Sequence, residues 1–322
     1  MHEKLLSLTG SFLLLAGSLF SAVLHHEVQT QASSYEWTEE AVPAFTELVV
    51  SWNSQRPKQG ELALFIKLKV DDEWTEYLPY ALWATDSQKT FSESSQNGKA
   101  TCFQDGVNGN ATGFSVQVVA KNGATLDTLW ALHASLKSDA VQEDNWKGLQ
   151  SVKLAVTGRS QLALTHPRNS SLCSPSSTAA VTSFLAKKQI DTADFAAKVW
   201  DAGFDIYGNW IFNVAEASSI LGKSYRVYMA RFSSFEKIYK NLLLGLPTVV
   251  SVRGSLPGAI MPYKEGHLIA VIGYDQESDC ILCMDPAYPT DDETIVSYPR
   301  KDFLRSCATR GNIGYFFELE DI

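Results

Sequence analysis

Cysteine is scarce in this chain and odd in number: five in 322 residues, at Cys102, Cys173, Cys280, Cys283 and Cys307. A fully paired disulfide framework is therefore excluded, and at least one thiol is free or shared between chains. Positive charge is short as well. Lys and Arg number 27 against 36 Asp and Glu, a formal net charge of −9, whereas a nucleic-acid binder needs a basic surface to displace counterions. Neither phosphate-cradling glycine loop, GxxxxGK[ST] or GxGxxG, occurs, so no nucleotide partner is expected. Cys280-Ile281-Leu282-Cys283 has no second CxxC to complete a zinc site. On a strand its two sulfurs point to opposite faces with Cα atoms roughly 10 Å apart, too far for a disulfide.

What the chain does contain is ordinary globular material, 45 % hydrophobic and 20 % charged, which argues against a disordered or low-complexity architecture. Its length suits two domains. The one long apolar run, Leu5 to Leu24, precedes Thr30-Gln31-Ala32, a small-x-small cleavage pattern. Residues 1–32 thus read as a signal peptide, giving a secreted or cell-envelope location. The alternative makes them the first strands of the next domain, with Gly10 and Gly17 as turns. The adjacent His25 and His26 diverge in any regular structure and read as surface.

Residues 33–153 alternate runs of Val, Ile, Phe, Trp and Thr, such as ELALFIKLKV and GFSVQVVAKN, with turn clusters such as QNGKA and VNGN. That pattern predicts an all-β sandwich domain. Six of the eight Trp fall here: Trp37, Trp52, Trp74, Trp83, Trp130 and Trp146. They read as core filling; the alternative is a sugar-stacking platform, which would give the sandwich a glycan or cell-surface partner. Neither Cys102 nor His133 has a reactive partner at a meaningful spacing, so both read as structural.

From residue 154 to 322 helical and strand patterns mix, an α+β arrangement. FAAKVWDAG ends in Gly203, read as a helix stop, and Ile211 to Leu221 precedes Gly222. Ser233-Ser234-Phe235-Glu236 reads as a capping box opening a helix that stops at Gly245. Strands PTVVSV, HLIAVIGYD, CILCMD and TIVSY follow as a meander, then helix PRKDFLRSCA and strand NIGYFFEL.

The chemistry-bearing residues lie in this second half. Cys173 sits at the start of a helix in SLCSPSSTAAVTSFL, with Pro175 in the first turn. The unpaired N–H groups and positive dipole end of a helix start favour thiolate. His267 opens HLIAVIGYD, 94 residues later, and Asp285 ends CILCMD. The short DQESD link makes those two strands a hairpin. With Tyr274 pairing near Cys280, Ile269 faces Asp285 and His267 becomes its diagonal neighbour, about 7–8 Å away at Cα. A carboxylate there fixes the imidazole tautomer and frees the other ring nitrogen for the thiol. His166 is the stand-in base if His267 fails. Asp291-Asp292-Glu293 reads as a solvated turn, with calcium binding as the alternative.

Several stretches point the same way: Ser160-Gln161, Cys173-Ser174-Pro175-Ser176-Ser177, Gly208-Asn209-Trp210-Ile211-Phe212-Asn213, Gly266-His267 and Met284-Asp285-Pro286-Ala287. They resemble the papain-like cysteine peptidases, and among them the peptidase C-39-like family related to bacteriocin leader peptidases. Leu48-Val49-Val50-Ser51-Trp52-Asn53 looks like part of the sandwich found before such domains, so the resemblance covers about residues 35–320. It implies a papain-like fold, no cofactor, and a Cys173–His267–Asp285 triad acting on a peptide or amide substrate through a thioester. It also implies Gln161 as oxyanion-hole donor, beside the Cys173 backbone N–H. For that, the loop LALTHPRNSSL must fold back toward the sulfur, with Asn169 as a weaker substitute donor. Asn209 and Trp210 would shape the cleft, although Asn209 also reads as a helix cap with Trp210 as packing. The rival readings are an acyltransferase on the same triad and a non-catalytic glycan- or protein-binding protein. No ATPase or transporter segment follows, so coupling to export within this chain is not expected.

Overall fold

The computed structural model describes residues 22–137 and 148–320. The signal-peptide reading of residues 1–21, with Gly10 and Gly17, lies outside the described residues, as does Trp146. The described N-terminal part is built of strands β1 (Val23–Glu27), β2 (Ser34–Glu39), β3 (Phe45–Ser54), β4 (Glu61–Val70), β5 (Glu73–Trp74) and β6 (Leu78–Ala84). It continues with β7 (Lys89–Thr90), β8 (Ser92–Ser94), β9 (Thr101–Phe103), β10 (Gly106–Ala111), β11 (Gly113–Lys121) and β12 (Leu129–Lys137). They form two antiparallel sheets, β1-β12-β3-β10-β9-β8 and β2-β11-β4-β6-β7, with β5 on β4. Because β1 pairs along its whole length with β12, cleavage after Ala32 would remove a strand from the first sheet.

Period-two alternation places the core. In β4, Leu62, Leu64, Ile66 and Leu68 are buried while Phe65, Lys67 and Lys69 are only partly covered. Trp37, Trp52 and Trp83 are buried and Trp74 and Trp130 half-buried, so three of the described Trp fill the interior. Tyr80 ties the sheets together: its hydroxyl donates to the carbonyls of Val50 and Asp105.

The C-terminal part comprises β13 (Val152–Lys153), α1 (Cys173–Ala186), α2 (Thr192–Val199), α3 (Trp210–Leu221), β14 (Tyr225–Arg231) and α4 (Phe235–Leu243). Then come β15 (Thr248–Gly254), β16 (Tyr263–Asp275), β17 (Cys280–Met284), β18 (Ile295–Pro299), α5 (Arg300–Ala308) and β19 (Ile313–Leu319). It is an α+β unit on one antiparallel sheet, ordered β14-β19-β15-β16-β17-β18, with β13 on β16. The expected meander runs from β15 to β18, but β19 returns to lie between β14 and β15. Along β16, Leu268, Ala270 and Ile272 belong to the core shared with α1 and α3. Ile269 and Val271 belong to the core under α4 and α5.

Two local expectations are corrected. Helix α2 ends at Val199, not Gly203: Trp200 turns extended, and Asp201 is captured by Thr90, whose N–H and hydroxyl both donate to it. Ser234 caps α4 alone, accepting from the Glu236 N–H at 3.0 Å, so the motif is a plain cap and not a capping box. Asp291–Glu293 is an exposed turn as read, of 3-10 form and boxed by Thr290, and Asp291 also accepts from the Ser160 N–H.

The two parts share one hydrophobic core. Phe212 of α3 stacks on Trp83, with centroids 6.1 Å apart, and meets Trp52 edge-on at 6.1 Å. Each such fully buried ring is worth about 1.5–3 kcal/mol. Around them Arg56 pairs with Glu216 at 2.9 Å and lies 3.7 Å over the Trp83 ring. Asn53 of β3 donates to the Val227 carbonyl of β14 at 2.6 Å.

Candidate active site

Helix α1 begins at Cys173 with no side-chain cap on Leu172, so its first N–H groups and dipole end face the sulfur. The helix is fixed on both flanks. Ser174 and Tyr315 of β19 share a hydrogen bond of 3.0 Å, and Ser177 donates to the Leu268 carbonyl of β16 at 2.9 Å. Cys173 is half-buried and is a free thiol, as are the other four cysteines.

The ladder between β16 and β17 starts one residue away from the expected register, with Asp275 opposite Cys280. An irregularity between Val271 and Gly273 restores it, and Ala270 ends opposite Met284. Asp285 follows the last residue of β17, level with Ile269, and His267 is its diagonal neighbour. The His267 Nε2 meets Asp285 Oδ1 at 2.7 Å. That leaves Nδ1 for the sulfur, and His267 and Cys173 act on each other through a hydrogen bond and through charge.

Asp285 is fully buried yet saturated with donors. Oδ1 also accepts from the Ala287 N–H at 3.0 Å, and Oδ2 accepts from Tyr263 at 2.5 Å and Tyr298 at 2.6 Å. Three donors and a neighbouring imidazole favour the carboxylate. Burial pushes Asp285 upward, but His267 and the two tyrosines hold it below the usual carboxylate range. Burial likewise opposes charge on His267, but the Asp285 hydrogen bond and charge, with Cys173 behind them, raise it to about 10. Burial disfavours the Cys173 thiolate, and His267 together with the Leu268 and Ser174 backbone lowers the thiol below its ordinary value nonetheless. Both shifts favour a thiolate facing an imidazolium. Cys102 and Cys283 behave oppositely: burial pushes the first up to about 12 and the second well above its ordinary value.

Tyr263 and Tyr298 were missed in the sequence. Tyr298 stands opposite Ile281 in the ladder, and strand parity alone puts it on the Asp285 face. Tyr263 carries no such signal. Four residues of regular strand would separate it from His267 by about 13 Å, yet the rings stack at 4.2 Å. The chain between them bulges against β15 and turns through Gly266 at φ +97°, a backbone that glycine adopts without strain.

The loop from Leu162 to Leu172 does fold back. Gln161 is buried; its N–H donates to the Pro286 carbonyl at 2.9 Å and its Nε2 to the Ser170 carbonyl at 2.8 Å, just ahead of Cys173. Asn169 instead braces the loop, donating to the Leu162 carbonyl at 3.1 Å. His166 packs edge-on against Tyr207 and accepts from the Arg168 N–H, so it is occupied within its own loop. Asn209 does not line the cleft: it is fully buried, caps α3 by accepting from the Phe212 N–H, and donates to Asp201 at 2.9 Å. Trp210, next in sequence, does line it.

The cleft over Cys173 has a volume of about 580 Å³. Its walls come from both parts of the chain: Gly266, Trp210 and Arg310 on one side, Glu47 of β3 and the β9–β10 hairpin from Phe103 to Asn108 on the other. Asp105 accepts from the Trp210 N–H at 3.1 Å, joining the two walls.

Residues 153–314 match the Peptidase_C39 like family. A crystal structure from Bacillus anthracis, described as a C39-like peptidase, is similar over 54 % of this chain and 100 % of its own, at 19 % identity and a TM-score of 0.42. Comparison with curated proteins returned no match. The family match takes in Cys173, His267 and Asp285 and half of the chain; this protein belongs to the Peptidase_C39 like family.

Proposed function

We propose that the protein is a cysteine peptidase, a thiol hydrolase of peptide or amide bonds. The observation that carries this reading is the His267 ring, bonded on one edge to a fully buried carboxylate and engaged on the other with a thiol at a helix start. The Cys173 thiolate attacks the carbonyl carbon, and the C–N bond breaks as His267 gives its Nδ1 proton to the departing amine. A thioester remains. Water, losing a proton to His267, then attacks it, the C–S bond breaks, and the acid leaves. Asp285 keeps the ring in one tautomer and stabilises its charged form. The Cys173 N–H is the backbone donor to the oxyanion. Gln161 is the side-chain donor, through the N–H that its bond to Ser170 leaves over.

Alkylation by iodoacetamide tests the reading. Cys173 is expected to react faster than an ordinary thiol at pH 6, because its thiolate persists below the usual thiol range. Cys173→Ala should remove that reactivity together with peptide hydrolysis, while Cys283→Ala, which deletes a thiol raised by burial, should change neither. Rapid labelling that survives loss of Cys173 would sink the assignment.

A further inference from the structure

The charges lining the cleft are not equivalent. Arg168 is spent on Asp205 at 2.5 Å, and Glu47 on Arg231 at 2.7 Å. Glu265 is exposed and solvated. Arg310 is half-buried, yet among the described residues no carboxylate lies within 4.0 Å of it. Asp105 lines the same cleft, but burial raises it well above the usual carboxylate range, toward its neutral form.

Arg310 is nevertheless held in place. Its N–H donates to the Cys307 carbonyl at the end of α5, and the next carbonyl, Gly311, accepts from Arg231 at 2.9 Å. Nε faces the Ser251 hydroxyl at 3.4 Å, and the guanidinium lies 6.0 Å from the Trp210 ring centre. It rests against Gly266, where a Cβ would come within 3.2 Å of Nε and 3.4 Å of Cζ. Glycine before His267 therefore makes room for a planar cation beside the reactive pair. With Nε directed at Ser251, the Nη1–Nη2 edge has no acceptor among the described residues, and that edge matches the two oxygens of a carboxylate.

We infer that Arg310 binds a carboxylate of the substrate, so that the cleft takes peptides or amides bearing an acidic side chain or a free C-terminus close to the bond presented to Cys173. This rests on the peptidase reading for its substrate, but the binding itself can be measured without catalysis.

The first measurement compares iodoacetate with iodoacetamide at Cys173. Each loses iodide to the thiolate and leaves a new C–S bond, and they differ in the carboxylate alone. The ratio of their rates should fall at least threefold in Arg310→Gln, and Arg310→Lys should lie between the two. A ratio unchanged in Arg310→Gln overturns the inference, whereas slow reaction with iodoacetamide in the wild type counts against the peptidase reading instead. The second measurement needs no reactive thiol. In Cys173→Ala, N-acetyldiglycine is expected to shift the Trp210 indole signal in NMR titration, and its amide is not. Loss of the shift in Arg310→Gln supports the site; no shift with the acid, or an equal shift with the amide, removes it. Cleavage of peptide pairs differing in an acidic side chain or a free against an amidated C-terminus then separates the two carboxylate sources.

Discussion

Histidine is buried both at the cleft and between the two parts of the chain, and the two sites answer burial differently. His133 of β12 is fully buried, its Nε2 3.0 Å from Asn53 Oδ1 and its Nδ1 3.0 Å from His25 Nδ1. Burial first, then the Coulomb influence of His25 and Arg226, pushes it well below its ordinary value, which favours the neutral ring. His267 is almost as buried, yet it is raised to about 10. Both rings make good hydrogen bonds. The difference lies in the acceptor: an amide at His133, a carboxylate at His267. A buried imidazole becomes a proton store only when its partner carries a charge.

Exchanging the acceptor should bring the two sites together. Asp285→Asn gives His267 an amide partner, and Cys173 alkylation at pH 6 is expected to slow by about 10²-fold as the thiolate loses its counter-ion. A slowing of less than threefold would mean that the carboxylate is not what sets the pair. A smaller effect is expected at the other site. Asn53→Ala leaves His133 and the Val227 N–H without their acceptor, and urea unfolding should show a loss of about 2 kcal/mol with iodoacetamide reactivity retained.

The smallest effect is a matter of pH. Below 6.5 the unfolded chain protonates His133 and the folded chain does not, so stability should fall on acidification by about 1.4 kcal/mol per pH unit from this group. His133→Gln should flatten that slope between pH 6.5 and 5. His267 has the opposite sign: its contribution is complete below 6.5 and is lost as pH rises through about 10. His267→Gln should therefore soften the alkaline limb of the stability curve and leave unchanged the acid slope, to which His133 and His25, lowered to about 4, both contribute.

Much of the cleft was legible because it rests on local rules. A cysteine at a helix start, a histidine opening a strand and an aspartate at the end of the next are each visible in a few residues of sequence. Their meeting follows from a hairpin and its parity, and the one-residue error in register disappeared only because β16 is irregular near Ile272. What escaped reading depends on long-range closure. Tyr263 reaches His267 through a bulge, Asn209 is drawn inward by Asp201, and Arg310 enters the cleft from beyond the last helix. The hairpin that walls the cleft opposite Arg310 comes from a part of the chain that sequence alone marks only as sandwich. Strand β14 has no turn signal strong enough to announce it, and its place in the sheet is decided by β19, some 90 residues later.

Phe212 sits where the halves of the molecule meet, against Trp83 and Trp52, and α3 packs on the helix that carries the thiol. Heat that loosens the N-terminal sheets therefore also frees α3, and through it the seat of Cys173. Reactivity and shape should fade over the same few degrees, since the two halves share one core.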